Sequence, residues 1–214
     1  MRRAVVYAAL GDPGRLRIAD ILSVSDASPS ELAALLDMPS NLLAHHLKVL
    51  REVGLVTSHR SQGDGRRQYL RLVDHSLAPR SATRLAAPRR VVFVCTANSA
   101  RSQLAAALWR RESPIPAASA GTHPKDSIDP GAIEAAARHE LALPRVRPRV
   151  LEGVVAEDDL LITVCDLAHE ELRVPATLHW SIPDPVSVGT PTAFDSAFDE
   201  IRGRVRALVP RLAS

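Results

Sequence analysis

A cysteine and an arginine separated by five residues, Cys95-Thr96-Ala97-Asn98-Ser99-Ala100-Arg101, with Ser102 directly after, form the stretch best equipped for chemistry. Before it, Val91-Val92-Phe93-Val94 reads as a short buried strand; after it, Ser102 to Glu112 reads as a helix. A loop between such elements converges its backbone N–H groups, and the helix N-terminus adds positive potential at the same point. Both favour a thiolate at Cys95 and a tetrahedral oxyanion beside it. Arg101 offers a planar fork for two oxygens of that anion. Ser102 is placed to donate to the sulfur, and Asn98 is expected to hold the loop's shape. The expected oxyanion-binding residues are Thr96, Ala97, Asn98, Ser99, Ala100, Arg101 and Ser102, with Cys95 as nucleophile. Cys-x5-Arg alone arises by chance; the flanking strand and helix, with Ser119-Ala120-Gly121-Thr122 and Asp184-Pro185 downstream, set this one apart.

The second cysteine, Cys165, ends the apolar run Leu160-Leu161-Ile162-Thr163-Val164. Two cysteines are too few for a disulfide scaffold, which leads to the expectation of a reduced, cytoplasmic protein. The longest apolar runs fall far short of the roughly 20 residues of a membrane span, so no membrane association is expected. Asp12-Pro13 interrupts the first apolar stretch, and no signal peptide is expected. With hydrophobic residues at 46% but aromatics at 3%, the core has to be built from Ala, Val, Leu and Ile.

The elements that must position the loop alternate. The strand at 91–94, the helix from Ser102, a helix over Pro130–Leu141, a strand at Leu160–Val164 and a terminal amphipathic helix over Ala193–Leu212 predict an α/β unit. Its parallel sheet would be flanked by helices on both faces. The N-terminal part differs. Leu10 to Leu22 is helical in spacing behind Asp12-Pro13, and Ser28-Pro29-Ser30-Glu31 opens a second helix. A third, expected to be capped by Ser40, runs to about Val53. In it Leu43, Leu47 and Leu50 share one stripe, and Gly54 marks the stop. Leu55–Thr57 and Tyr69–Leu72 then read as strands around Ser61-Gln62-Gly63-Asp64-Gly65, a hairpin signal.

Two domains follow: a mostly α winged helix-turn-helix unit at 1–73 and an α/β unit at 90–214. Between them, 74–89 reads as a linker with one short helix around 82–87. Charge divides along the same line. Residues 1–88 hold 12 Lys and Arg against 8 Asp and Glu, while 89–214 hold 15 against 16, so the whole excess of +3 comes from the N-terminal part. A helix fits the DNA major groove and a basic hairpin reaches phosphates. The expected DNA contacts are Ser40, Asn41, His45 and Lys48 on the third helix, and Arg60, Arg66 and Arg67 with Arg71 on the hairpin. His45 and His46 are expected to divide between groove and packing roles, and no metal site is expected.

These N-terminal residues resemble the arsenical-repressor winged-helix family over about residues 3–73, through Ser40, His46-Leu47, Leu50 and Gly54-Leu55-Val56. The resemblance implies a homodimer, formed through this domain, on a DNA operator. It also implies arsenite-sensing cysteines on the helix Glu31 to Asp37, and this sequence has none before Cys95. Residues 90–212 resemble the low-molecular-weight tyrosine phosphatases and, within that fold, the thiol-dependent arsenate reductases. CTANSARSQLA and SAGT carry the first likeness; His179-Trp180 with Pro183-Asp184-Pro185 carries the second.

By that resemblance Asp184 is the general acid; the residues alone leave it open as a turn carboxylate. Cys165 takes the place of a resolving thiol that attacks Cys95 after arsenate binds, although an ordinary buried thiol remains open. A third cysteine of the thioredoxin-coupled reductases is replaced by Leu172, and a cation-binding glutamate by Ala106. Regeneration would fall to thioredoxin or a low-molecular-weight thiol, with no bound cofactor. The expected function is a fused arsenic-resistance protein, a DNA-binding regulator joined to an arsenate reductase. Phosphate-ester hydrolysis stays open, as does an oxyanion- or redox-sensing repressor with little turnover. Val186 after Asp184-Pro185, where phosphotyrosine enzymes carry an aromatic residue, weighs against a phosphotyrosine substrate.

Overall fold

The computed structural model of the protein describes residues 2–73, 86–144, 146–172 and 176–212. The chain divides into two compact units. Residues 74–85 of the expected linker lie outside the described residues, and Ala86 and Ala87 are not helical.

The N-terminal unit packs four helices against a two-stranded hairpin. Helix α1 spans Arg2–Leu10 and α2 spans Pro13–Leu22. The sequence reading missed α1, whose exposed Val5 and Tyr7 blur the apolar face. Asp12 starts α2 by accepting the Arg15 N–H at 2.9 Å. Helix α3, Pro29–Leu36, opens on a capping box in which Ser28 and Glu31 bond each other's backbone N–H. Helix α4, Ser40–Glu52, lacks a side-chain cap. Ser40 is its first helical residue and Pro39 stands at the cap, a correction to the expected Ser40 cap. Gly54, with φ of 69°, turns the chain out of α4 in the left-handed region that favours glycine. Strands β1, Val56–Arg60, and β2, Gln68–Leu72, pair antiparallel from Val56 opposite Leu72 to Arg60 opposite Gln68. Ile18, Leu22, Leu32, Leu43, Leu47, Leu50 and Leu70 close an aliphatic core.

In the C-terminal unit a four-stranded parallel sheet runs in the order β4-β3-β5-β6. Strand β3 is Arg90–Cys95, β4 Ala117–Gly121, β5 Asp159–Thr163 and β6 Leu178–His179. Ala117–Gly121 escaped the sequence reading because small residues carry little strand signal. The helices are α5, Arg101–Glu112; α6, Pro130–Arg138; α7, Asp166–Glu171; α8, Pro185–Val188; and α9, Pro191–Leu208. Both faces of β3 are covered, so Val91 through Val94 are buried without alternation. Phe93 meets Trp109 and Trp180 with ring centroids 5.9 and 5.6 Å away, which concentrates the few aromatics at the sheet centre.

At the strand starts, Arg90 clips β3 to β5 through a two-pronged bond to Asp159, Nε to Oδ1 being 2.9 Å. Burial raises the Asp159 carboxyl, but the bonds from Arg90 and from the Ala156 N–H, together with the charges of Arg90 and Arg89, outweigh it and hold the group below the usual carboxylate range. The stability it contributes is therefore complete above the unfolded value of about 3.9 and is lost as pH falls through the lower folded value.

Candidate active site

Cys95 is the last residue of β3, and Arg101 the first of α5, so the five residues between them form the strand-to-helix loop. Around that loop gather Cys95, Arg101, Cys165 and Asp184, each at the end or the start of an element of the parallel sheet unit. The Cys95 thiol is buried and lies 3.1 Å from the Ser102 hydroxyl.

One backbone donor orients the amide behind this contact. The Arg149 N–H donates to Asn98 Oδ1 at 2.9 Å, which leaves the Asn98 Nδ2 group facing Ser102 Oγ at 2.8 Å. The Ser102 oxygen accepts that bond, so its own hydrogen is free to point at the sulfur. Asn98 does this from φ of 47°, a left-handed conformation that asparagine tolerates better than most residues.

Arg101 is 9% exposed. Its Nη1 donates to the Ile182 carbonyl at 2.9 Å, and its Nη2 lies 3.1 Å from Asp184 Oδ1. Asp184 also caps α8 through the Val186 N–H, so the turn role and a place beside the guanidinium coexist in one side chain. Cys165 is buried, accepts the Thr96 N–H at 3.3 Å, and stands 3.4 Å from the Thr96 hydroxyl. Burial pushes its thiol up, Cys95 pushes the same way, and Arg101 and Thr96 offset part of the effect. Cys165 is thus held as a neutral thiol close to the loop.

Behind Cys165, Asp166 bonds His179 at 3.2 Å, and Thr163 bonds the other nitrogen of that ring at 2.9 Å. Burial raises the Asp166 carboxyl, yet bonds from His179 and Ser181 more than offset it and leave it lowered. Sequence reasoning used His179 only as a mark of family likeness and missed its pairing with Asp166 and Thr163, as well as Lys125 and Leu167 on the pocket rim and the buried Gln103. Besides His179, Gln103 had a usable signal, an amide two residues beyond a motif arginine.

Gly121 approaches the loop so closely that a Cβ there would stand 2.6 Å from the Thr96 carbonyl oxygen and 3.0 Å from the Asn98 nitrogen. Neither backbone atom can yield cheaply. Gly121→Ala is expected to cost about 1–3 kcal/mol in a denaturant titration and to weaken phosphate binding in a calorimetric titration.

A model of the family described as low molecular weight phosphotyrosine protein phosphatase matches residues 90–214, more than half of the sequence. The chain belongs to this phosphatase family. In front of the phosphatase-family domain, a model described as bacterial regulatory protein, arsR family, matches residues 12–58. Arsenate reductase 2 of Staphylococcus saprophyticus is 28% identical over 128 residues, covering 55% of this chain and 94% of the reductase. The HTH-type transcriptional repressor SmtB of Mycobacterium tuberculosis is 41% identical over 70 residues, 33% of this chain. The chain spans half the length of that repressor. Among solved structures, an arsenate reductase from Archaeoglobus fulgidus is 29% identical with a TM-score of 0.50, over 56% of this chain and 98% of that one. An arsR-type segment and a phosphatase-family domain with arsenate reductase relatives are therefore fused in one chain.

In the N-terminal unit, Ser40, Asn41, His45 and Lys48 are exposed on α4, as are Arg60, Arg66 and Arg67 on the hairpin, beyond the matched segment. His46 instead turns inward, 7% exposed, with Nδ1 3.6 Å from Asp12 Oδ1. His45 thus stays at the surface while His46 packs into the unit. Among the described residues, no helix is long and apolar enough to cross a membrane.

Proposed function

We propose that the C-terminal domain reduces arsenate to arsenite and that the N-terminal domain binds an operator as a homodimer. The observation that carries the reductase reading is Cys165, whose sulfur bonds the backbone N–H next to Cys95. A second thiol so placed is what a two-thiol reduction requires and what ester hydrolysis does not.

The steps balance. The Cys95 thiolate attacks arsenic, a sulfur–arsenic bond forms, and the arsenate hydroxyl leaves as water on taking a proton from Asp184. Arg101, with backbone N–H groups of the loop over Thr96 to Ser102, holds the remaining oxygens. Cys165, deprotonated, then attacks the Cys95 sulfur. The disulfide forms, the electron pair of the broken sulfur–arsenic bond passes to arsenic, and arsenite leaves. An external dithiol such as thioredoxin, or two equivalents of a low-molecular-weight thiol, reduces the Cys95–Cys165 bond. Mass spectrometry of the protein after one turnover with arsenate tests the scheme: a loss of two hydrogens at that cysteine pair supports it, and two free thiols after arsenite release would refute it.

A second reading keeps the first attack but on a phosphate ester, with water completing the hydrolysis of the phosphocysteine. The family membership and the pairing of Asp184 with Arg101 favour it; Leu172 in place of a relay cysteine does also.

For the N-terminal domain, Lys48 is exposed on α4 and is assigned a phosphate contact. Lys48→Ala is expected to weaken binding to specific and unrelated duplexes alike, and to make the slope of log affinity against log salt shallower by about 1. Fluorescence anisotropy over a salt series measures both.

A further inference from the structure

The Asn98–Ser102–Cys95 chain of donors has a root one residue beyond the loop motif. Gln103 lies on the first turn of α5 and is 2% exposed. Its Nε2 donates to the Asn98 carbonyl oxygen at 3.1 Å and sits 3.3 Å from Asn98 Oδ1. Both partners are oxygens, so the amide orientation is fixed with the NH2 group toward Asn98. A buried amide is costly unless satisfied. Gln103 spends its donors on a single residue, at the one position of the loop where φ is positive.

We infer that Gln103 is a positioning residue for the Cys95 thiolate, acting through Asn98 and Ser102. By clamping the carbonyl and side-chain oxygens of Asn98 together, it holds that residue in its left-handed conformation. It also shares Oδ1 with the Arg149 N–H, which keeps Nδ2 turned to Ser102. Ser102 is thereby left one free hydrogen, aimed at the sulfur 3.1 Å away. Without the Gln103 donors, Asn98 can relax toward negative φ or flip its amide. Either change lets Ser102 turn its hydrogen away from Cys95 and removes a bond that favours the thiolate. The inference rests on the reading of Cys95 as a thiolate nucleophile and on nothing about which oxyanion it attacks.

The test is the pH dependence of Cys95 alkylation by iodoacetamide in the full chain, read by peptide mass spectrometry so that Cys165 is scored separately. Gln103→Met keeps the length of the side chain and removes the N–H groups. It is expected to move the alkylation midpoint up by about one pH unit, which is roughly a tenfold lower rate on the acid side. Ser102→Ala is expected to do the same, and Gln103→Met added to Ser102→Ala to do nothing further, since the two act in series. An unchanged midpoint in Gln103→Met beside a low midpoint in the unaltered protein overturns the positioning role alone. A midpoint of an ordinary thiol in the unaltered protein overturns it together with the nucleophile reading. Should Gln103→Met fail to fold, hydrogen exchange of the Gln103 side-chain amide in the unaltered, nitrogen-15-labelled protein decides. Protection comparable to the β3 backbone supports the clamp, and exchange at the rate of a surface amide overturns it.

Discussion

Cys165→Ser, assayed side by side with arsenate and an aryl phosphate, is expected to separate two chemistries that share one nucleophile. Arsenate turnover should fall to background, because the second electron donor is gone and the reaction halts at the sulfur–arsenic adduct on Cys95. Any aryl phosphate hydrolysis should persist, since water completes that reaction. Cys95→Ser should abolish both, by roughly 10⁵-fold or more, as removal of a covalent nucleophile does elsewhere. The pH profile adds a direction. The Cys165 thiol is pushed up, chiefly by burial, and must lose its proton before it can attack. Disulfide formation in a single turnover should therefore keep accelerating above about pH 8.5, the ordinary thiol value. A profile that levels near neutrality would show that Cys165 is not the attacking group.

Asp184→Asn is expected to lower turnover by about 10²–10⁴, the range for loss of a general acid. The substitution keeps the cap on α8, because an amide oxygen can still accept the Val186 N–H. Thermal stability should then change little while the rate collapses, and this contrast distinguishes an acid from a turn carboxylate. The loss should shrink for aryl phosphates with acidic phenols, which leave without a proton. An equal loss across a series of leaving groups would instead assign Asp184 to the orientation of Arg101, 3.1 Å away.

Much of this could be read from residue order alone. Cys95, Arg101 and Ser102 are close enough in sequence that strand, loop and helix are implied by their own spacing, and the apolar run at 91–94 has no other plausible use. Cys165 was visible as a second thiol, but its contact with Thr96 spans 69 residues and depends on β3 and β5 being neighbours. Asp184 was legible as an Asp-Pro turn and as a candidate acid; nothing local placed it against the guanidinium of Arg101, far earlier in the chain. Helix α1 and strand β4 were missed for a shared reason. Ala-rich or half-exposed segments give weak periodicity, and tertiary packing decided their state. Gln103 was visible within the motif and passed over, because a buried amide declares itself only when its oxygen partners are seen.

The two-pronged bond between Arg90 and Asp159 lies at the opposite end of β3 from Cys95. Anchorage of the strand starts and reactivity at the strand ends thus occupy separate poles of one β-strand. Acid that protonates Asp159 therefore loosens the strand at the end remote from the Cys95 loop.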